Sequence, residues 1–309
     1  MMNRIALISV SAAAILAGTL ALRSGCTSLR PRDRSGAADA APGRIVSLSP
    51  SVTEILFALG LADRIVGVTR YCKYPEAARS LRDVGGYYDP NYELILRLQP
   101  DLVILPQTQQ EALRRFAGDN IRTLAVRHDD LDGIFASISS IGEVTGTEQK
   151  ADALLGEMRR GMEAVTEKVK DLRRPRVLLS AGRILGTGRV DDLYIAGRGN
   201  IYSALVELAG GANCYDGPVS YPSVSAEGVL RMNPDVVLEL TGFLEKKNLT
   251  AARIRAEWET TYPNLEAVRE DRVHVIAADY AVIPGPRIVK TLRDMARAVH
   301  PDADWPDPR

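Results

Sequence analysis

The chain has 309 residues, of which 46% are hydrophobic and 25% are charged, and these proportions are typical of a globular protein. Its 39 basic and 39 acidic residues cancel, so the basic excess that a nucleic-acid partner requires is missing. Only three histidines are present, at positions 128, 274 and 300, which argues against a metal site built from several histidines.

Residues 1–26 predict an export signal. Arg4 precedes an uncharged apolar run, and the sequence RSGC then ends at Cys26. This ending resembles the lipobox of bacterial lipoproteins, in which the cysteine becomes lipidated, although Arg23 stands where that motif usually has leucine. An uncleaved membrane anchor and ordinary cleavage are the alternatives. All three place the folded part outside the cytoplasm, beyond a flexible low-complexity tether at 27–43.

Residues 44–146 predict an α/β lobe, because short apolar runs alternate with helical patterns. The sequence RIVSLSP predicts a strand, the helix that follows ends at Gly60, and VGVT predicts the next strand. The glycine-rich sequence VGGYYDPN forms a loop. A further strand at 121–126 and a helix at 131–145 complete this lobe.

Two stretches of the chain are nearly the same: ELILRLQPDLVIL at 93–105 and EGVLRMNPDVVLE at 227–239, with six of thirteen positions identical. Each copy predicts a helix that follows an N-cap residue, a proline that ends it, and a buried strand. Glu93 and Glu227 occupy the first helical turn, where the helix dipole favours a carboxylate. The long period predicts two similar α/β lobes rather than a solenoid.

Residues 147–173 predict one long amphipathic helix, because apolar residues recur at helical spacing and charges occupy the opposite face. We therefore assign 147–174 as a linking helix and 175–309 as a second α/β lobe. The predicted fold is α/β, with two similar lobes of parallel sheet between helices and a ligand cleft between the lobes. One continuous helix is a stiff connection, so we expect only small closure motions.

Four blocks carry a family resemblance: RIVSLSPSVTEILFALGLADRIVGVTRYCKYP, VGGYYDPNYELILRLQPDLVIL, YPSVSAEGVLRMNPDVVLEL and PGPRIV. In order and spacing they resemble the helical-backbone class of substrate-binding proteins, which serve ABC importers of vitamin B12, iron-siderophore complexes and haem. The resemblance runs from Arg44 to His300. It implies a monomer in the periplasm or on the outer face of the cell membrane, with or without a lipid anchor. Such a protein delivers a metal chelate to a permease dimer with ATPase subunits and needs no cofactor.

The same resemblance explains the repeated sequence. In this family a surface glutamate on each lobe forms a salt bridge with arginines of the permease, and Glu93 and Glu227 stand at those positions. The permease is a dimer with two like docking pockets, so one chain has to present two like contacts. The resemblance therefore implies permease docking by Glu93 and Glu227.

Candidate ligand contacts come from loops that follow predicted strands, because ligands bind beyond the carboxyl ends of strands in open α/β sheets. Tyrosine offers a flat apolar face with a polar tip, and arginine offers a fork for oxyanions. The candidates are Arg70, Tyr71, Tyr87, Tyr88, Arg183, Tyr221, Tyr280 and Arg287. They favour a flat, partly anionic chelate. Tyr202, within a helix, is assigned to the core.

Three ligands stay open. A ferric siderophore is favoured, because vitamin B12 binders of this family tend to use several tryptophans, whereas Trp258 and Trp305 lie outside the expected cleft loops. Haem requires a tyrosine or histidine on iron, and we expect no histidine in a cleft loop. Cobalamin or another corrinoid is the remaining alternative.

A two-lobed α/β enzyme such as a chelatase is an alternative from a different class, and a structural or adhesin-type lipoprotein is another. The sequence contains no G-x-S-x-G, H-E-x-x-H or P-loop motif, and no G-x-G-x-x-G that follows a strand. We therefore expect a binding protein without catalytic residues.

Overall fold

The computed structural model describes residues 41–242, 244 and 248–305. The predicted export signal, Cys26 and most of the predicted tether lie outside these residues. No helix in the described part of the chain has both the length and the apolar character needed to cross a membrane.

The first sheet consists, within the described residues, of four parallel strands in the order β2–β1–β3–β4. These are β1 (Ile45–Ser47), β2 (Ile65–Val68), β3 (Leu102–Pro106) and β4 (Thr123–Val126). The helices of this lobe are α1 (Pro50–Ala58), α2 (Tyr92–Arg97), α3 (Gln110–Gly118) and α4 (Leu131–Thr145). Both β1 and β3 are buried along their whole length, which explains their unbroken apolar sequences.

The second sheet has the order β10–β9–β5–β6–β8, and β7 pairs with β5. Its strands are β5 (Arg176–Gly182), β6 (Leu193–Ile195), β7 (Ala212–Asn213), β8 (Ser223–Val224), β9 (Val236–Thr241) and β10 (Val273–Ala277). The helices are α6 (Ile201–Leu208), α7 (Ala226–Met232), α8 (Ala251–Thr261), α9 (Glu266–Arg269) and α10 (Ile288–Val299). Strand β6 pairs antiparallel with β5 and with β8, so this sheet is mixed rather than wholly parallel.

The long helix predicted between the lobes is α5, which spans Glu148–Val169. It contacts α4 of the first lobe and α6 and α10 of the second. Its buried face consists of Ala151, Leu155, Met158, Met162, Val165 and Val169. The helix ends four residues before the predicted end at 173, and Arg173 beyond it binds Asp235. The predicted α/β architecture with a connecting helix is confirmed.

The two copies of the repeat fold alike, as α2 with β3 and as α7 with β9. Asn91 Oδ1 accepts from the backbone N–H of Leu94 at 3.0 Å, and Ser225 Oγ accepts from that of Gly228 at 3.2 Å. Both predicted N-caps are therefore present. After each helix, Gln99 and its equivalent Asn233 adopt positive φ values of 46° and 38°, which turn the chain towards the strand.

The shared aspartates of the repeat hold the first strand of each sheet in place. Asp101 Oδ2 accepts from the backbone N–H of Arg44 at 3.0 Å, just before β1. Asp235 Oδ2 accepts from the backbone N–H of Arg176 at 2.9 Å, where β5 begins. The equivalent aspartates therefore anchor the start of a strand in both lobes.

Candidate functional site

A cavity of about 790 Å³ lies between the lobes, within the size range of small-molecule sites. Loops after β3 and β4 line one side. The opposite side comes from α6, Tyr221 and the segment at 282–284. The carboxyl ends of the first sheet's strands thus face the second lobe across this space, as expected for a ligand cleft in an α/β protein.

The lining of the cavity is aromatic and rich in amides. Its tyrosines are Tyr87, Tyr88, Tyr92, Tyr202 and Tyr221, and its glutamines are Gln107, Gln109 and Gln110. Among the described residues that line the cavity, the charged side chains are Glu111 and Asp129, and none is an arginine or a lysine. The surface therefore offers hydrogen-bonding amides and flat rings but no cationic fork.

Three of the predicted ligand contacts line the cavity: Tyr87, Tyr88 and Tyr221. The rings of Tyr87 and Tyr88 meet edge to face with centroids 4.8 Å apart, and Tyr88 is 91% exposed. Burial raises the pKa of Tyr87 and of Tyr221, so both phenols stay protonated at neutral pH. Tyr202, assigned to the core from sequence, also lines the cavity.

Arg70 and Tyr71, which follow β2, do not line the cavity. Arg70 Nη2 binds Asp89 Oδ2 at 3.1 Å, and the backbone N–H of Arg70 donates to the carbonyl of Gly85. Arg70 therefore braces the loop that carries Tyr87. Gly85 is required in that loop, because its φ is 106° and a Cβ would lie 2.6 Å from the carbonyl oxygen of Asp89.

Arg183 lies inside the second lobe rather than at the cavity. Its side chain is 0% exposed, and its guanidinium binds Glu239 Oε2 at 2.9 Å and Glu257 Oε2 at 2.6 Å. Glu239 also accepts from Trp258 Nε1 and from Ser180 Oγ. The two buried carboxylates balance the charge of Arg183 inside the second lobe. The guanidinium is therefore not available to a ligand in the cavity.

Arg287 joins the two lobes. It donates to both carboxylate oxygens of Glu54 on α1, at 3.0 and 2.6 Å, and to Asp279 at 2.9 Å. Its guanidinium lies 3.8 Å from the ring centroid of Tyr74. The buried ion pair therefore fixes helix α1 against the segment that precedes α10. It also engages the guanidinium of Arg287, which the sequence predicted as a ligand contact.

Tyr280 lies beside that pair and is not among the residues that line the cavity. Its hydroxyl donates to Asp294 Oδ2 at 2.6 Å. Burial, together with the negative charge of Asp294, raises the pKa of Tyr280 to about 12. The phenol is therefore protonated and already engaged within the second lobe.

His128 lines the cavity, so the expectation that no histidine falls in a cleft loop is wrong. Its Nδ1 lies 3.4 Å from Ser51 Oγ, which lies 2.8 Å from Ser49 Oγ. Burial lowers the pKa of His128, so the imidazole is neutral at pH 7. The residue follows β4, and the strand-end rule that selected the other candidates would have found it.

Glu93 and Glu227 lie away from the cavity, in the first turns of α2 and α7. Both are exposed, and Glu93 pairs weakly with Arg97 at 3.9 Å. One turn further on, the equivalent leucines Leu96 and Leu230 are 41% and 49% exposed. The two lobes therefore present matching acidic and apolar groups at their surfaces.

The known proteins to which this chain is similar are binding proteins. The profile of the periplasmic binding protein family matches residues 45–280. An ABC transporter substrate-binding lipoprotein of Bacillus subtilis, YvrC, is 27% identical over 84% of this chain and 81% of its own length. A cobalamin-binding protein of Halobacterium salinarum is 31% identical over 85% of this chain and 70% of its own.

Among solved structures, the periplasmic heme-binding protein RhuT of Roseiflexus sp. RS-1, in its apo form, superposes with a TM-score of 0.72. The two chains are 26% identical, and the superposition covers 85% of this chain and 99% of RhuT. The relatives thus include proteins named for different metal chelates on a shared fold.

Proposed function

The chain belongs to the periplasmic binding protein family, and we propose that it captures a corrinoid outside the cytoplasm as the substrate-binding component of an ABC importer. Support comes from the cavity between two α/β lobes and from relatives named as an ABC transporter substrate-binding lipoprotein and as a cobalamin-binding protein. The chelate then passes to a permease dimer that carries ATPase subunits.

The lining of the cavity is the observation that favours a corrinoid. A corrin ring is broad and flat, and its rim carries amide side chains, which pair with glutamine amides and tyrosine hydroxyls. The preference for an anionic siderophore depended on arginines, but Arg183 and Arg287 are engaged by Glu239, Glu257 and Glu54. No basic residue among those described as lining the cavity takes their place.

The direct test is a calorimetric titration of the purified protein with cyanocobalamin, haemin and a ferric hydroxamate siderophore. We expect cyanocobalamin to bind one to one and most tightly. Tyr221→Ala should weaken that binding, because the ring lies at the cavity. Glu227→Ala is the matched control outside the cavity and should bind normally. Tight binding of the siderophore or haemin without binding of cyanocobalamin would overturn the corrinoid assignment.

Permease docking through Glu93 and Glu227 completes the proposed cycle. Of the six identities in the repeat, Pro100, Asp101 and Val103 with their equivalents serve the turn and the strand. The remaining three, a glutamate, a leucine and an arginine in each copy, are exposed. These three exposed residues pack against no described residue that would keep them identical in the two copies. A partner with two like docking pockets would select the same side chains at both.

Lipidation of Cys26 is the proposed means of retention at the membrane. The Bacillus subtilis relative is named a lipoprotein, and Cys26 follows an apolar run of the kind that precedes a lipidated cysteine. Labelling with a radioactive fatty acid should mark the wild-type protein and not Cys26→Ser. Equal labelling of both proteins would exclude Cys26 as the acceptor.

A binding protein should also return its ligand unchanged, which separates this function from that of a chelatase. After prolonged incubation, mass spectrometry of released cyanocobalamin should give the starting mass with its cobalt. Loss of cobalt that depends on the protein would favour the enzyme.

A further inference from the structure

A chain of three polar side chains in the first lobe leads to the cavity. Ser49 is 3% exposed and Ser51 is 1% exposed, and their hydroxyls lie 2.8 Å apart. Ser49 is the N-cap residue of α1, yet its side chain makes no capping hydrogen bond. Its hydroxyl instead pairs with that of Ser51, which lies 3.4 Å from Nδ1 of His128. The buried serines therefore orient an imidazole that lines the cavity.

This arrangement leaves one imidazole nitrogen available. Among the described residues, Ser51 is the only hydrogen-bonding partner of His128. In the tautomer that carries its proton on Nδ1, Ser51 Oγ accepts that proton and the lone pair of Nε2 is free. Histidines that bind metals have this form: one nitrogen is held by a hydrogen bond that fixes tautomer and ring orientation, and the other binds the metal.

The other aromatic groups of the cavity are less suited to bind a metal. A tyrosine binds a metal through its phenolate and must first lose a proton. The hydroxyl of Tyr87 lies 3.4 Å from Oγ1 of Thr108, and Tyr88 is 91% exposed. A neutral imidazole needs no proton loss. His128 is therefore the cavity residue whose bonding and protonation fit coordination.

We propose that Nε2 of His128 binds the cobalt of the captured corrinoid at an axial position. This inference rests on the proposed function and adds that corrinoids whose axial ligand exchanges bind more tightly than those whose axial ligand does not. In the step itself, the Nε2 lone pair forms a bond to cobalt(III) and the axial water leaves with its electron pair. The oxidation state of cobalt does not change, and the imidazole keeps its proton on Nδ1.

Two cobalamins separate coordination from ordinary ring binding. Aquocobalamin carries an exchangeable axial water, whereas cyanocobalamin carries a firmly held cyanide at the same position. The affinity of the full-length protein for each, and the visible absorption spectrum of each complex, should be measured. We expect aquocobalamin to bind more tightly than cyanocobalamin, and its absorption bands to shift as nitrogen replaces water.

The ratio of the two affinities is the decisive quantity for the variants. In His128→Ala the ratio should fall towards one and the spectral shift should vanish, whatever happens to either affinity alone. Ser51→Ala should reduce the ratio partly, because the ring keeps its nitrogen but loses its orientation. His274→Ala is the matched control, because His274 lies on β10 outside the cavity, and it should keep the wild-type ratio.

The outcomes distinguish failure of this inference from failure of the proposed function on which it rests. Equal binding of both cobalamins by the wild type, without a spectral shift, would overturn the coordination by His128 and leave the corrinoid-binding function standing. A spectral shift that persists in His128→Ala would also overturn it. Failure of both cobalamins to bind the wild type would overturn the proposed function itself.

Discussion

The two copies of the repeat differ most where each strand faces its own lobe. Leu105 at the end of the first copy is equivalent to Glu239 at the end of the second, and both are buried. The first lobe fills this place with an apolar side chain. In the second lobe the carboxylate is compensated by Arg183, Trp258 and Ser180. The shared backbone therefore accepts an apolar or a charged side chain at this position, because a cation and two hydrogen-bond donors accompany the buried carboxylate.

The positions that do not differ fall into two groups. Asp101 and Asp235 anchor the first strand of each sheet, so the fold explains why they match. Glu93 and Glu227 anchor no strand and are exposed, and the docking proposal assigns their agreement to a partner. The comparison thus separates residues with a structural role in the fold from residues that the docking proposal assigns to a partner, and variants can test this division.

The largest effect should come from Arg183→Met, because it leaves the buried carboxylates of Glu239 and Glu257 without their cation. We expect the free energy of unfolding to fall by about 3–5 kcal/mol, the usual cost of breaking a buried ion pair. Urea denaturation measures it. The double variant Arg183→Met/Glu239→Leu, which makes the second lobe resemble the first, should recover part of the loss. No recovery would contradict the idea of a compensated set.

Next in size is the effect of the exposed glutamates on transport. A charge-assisted contact at an interface contributes about 1.5–3 kcal/mol. Glu93→Ala or Glu227→Ala should therefore weaken docking by roughly tenfold to a hundredfold. Both changes together should nearly abolish uptake of labelled cyanocobalamin by cells. Affinity for the free ligand should not change, because neither residue lines the cavity.

Two further outcomes would sharpen the docking comparison. Glu227→Arg should impair uptake more than Glu227→Ala, because like charges would meet at the permease. Normal uptake by the double alanine variant would mean that the exposed identities serve only the helix starts, and would contradict docking.

A smaller effect should distinguish the anchoring aspartates of the two lobes. Asp235 is 8% exposed, whereas Asp101 is exposed. Loss of a buried hydrogen-bonding carboxylate costs about 1–3 kcal/mol, and solvent screening reduces the contribution of the exposed one. Asp235→Ala should therefore lower the free energy of unfolding more than Asp101→Ala. The reverse order in urea denaturation would show that burial does not set the difference.

The smallest expected effect is a pH dependence. Burial lowers the pKa of His274 on β10, below its ordinary value of 6.5. As the pH falls through 6.5, the unfolded chain takes up a proton that the folded chain does not, so unfolding becomes easier. His274→Gln should reduce the fall in melting temperature between pH 7 and pH 5. An unchanged fall would exclude a contribution from this histidine.

Much of the fold could be predicted from the sequence, because local physics decides it. Asn91 and Ser225 cap their helices as expected, and apolar runs become buried strands. The exposed positions of Glu93 and Glu227 also follow from helical periodicity. Tyr87 and Tyr88 could be found because the carboxyl ends of parallel strands meet at one edge. The same rule predicts Tyr221, but this residue lies just before β8, a strand that pairs antiparallel with β6.

Only the tertiary structure decided the partners of the buried charges. Arg183 and Arg287 follow strands in the sequence, as ligand-binding arginines do. Arg183 nevertheless pairs with Glu239, 56 residues away, and Arg287 pairs with Glu54, 233 residues away. Periodicity reports which face of an element is apolar. It does not report which distant carboxylate lies within 3 Å of a guanidinium, because that depends on how the two lobes and their sheets are packed together.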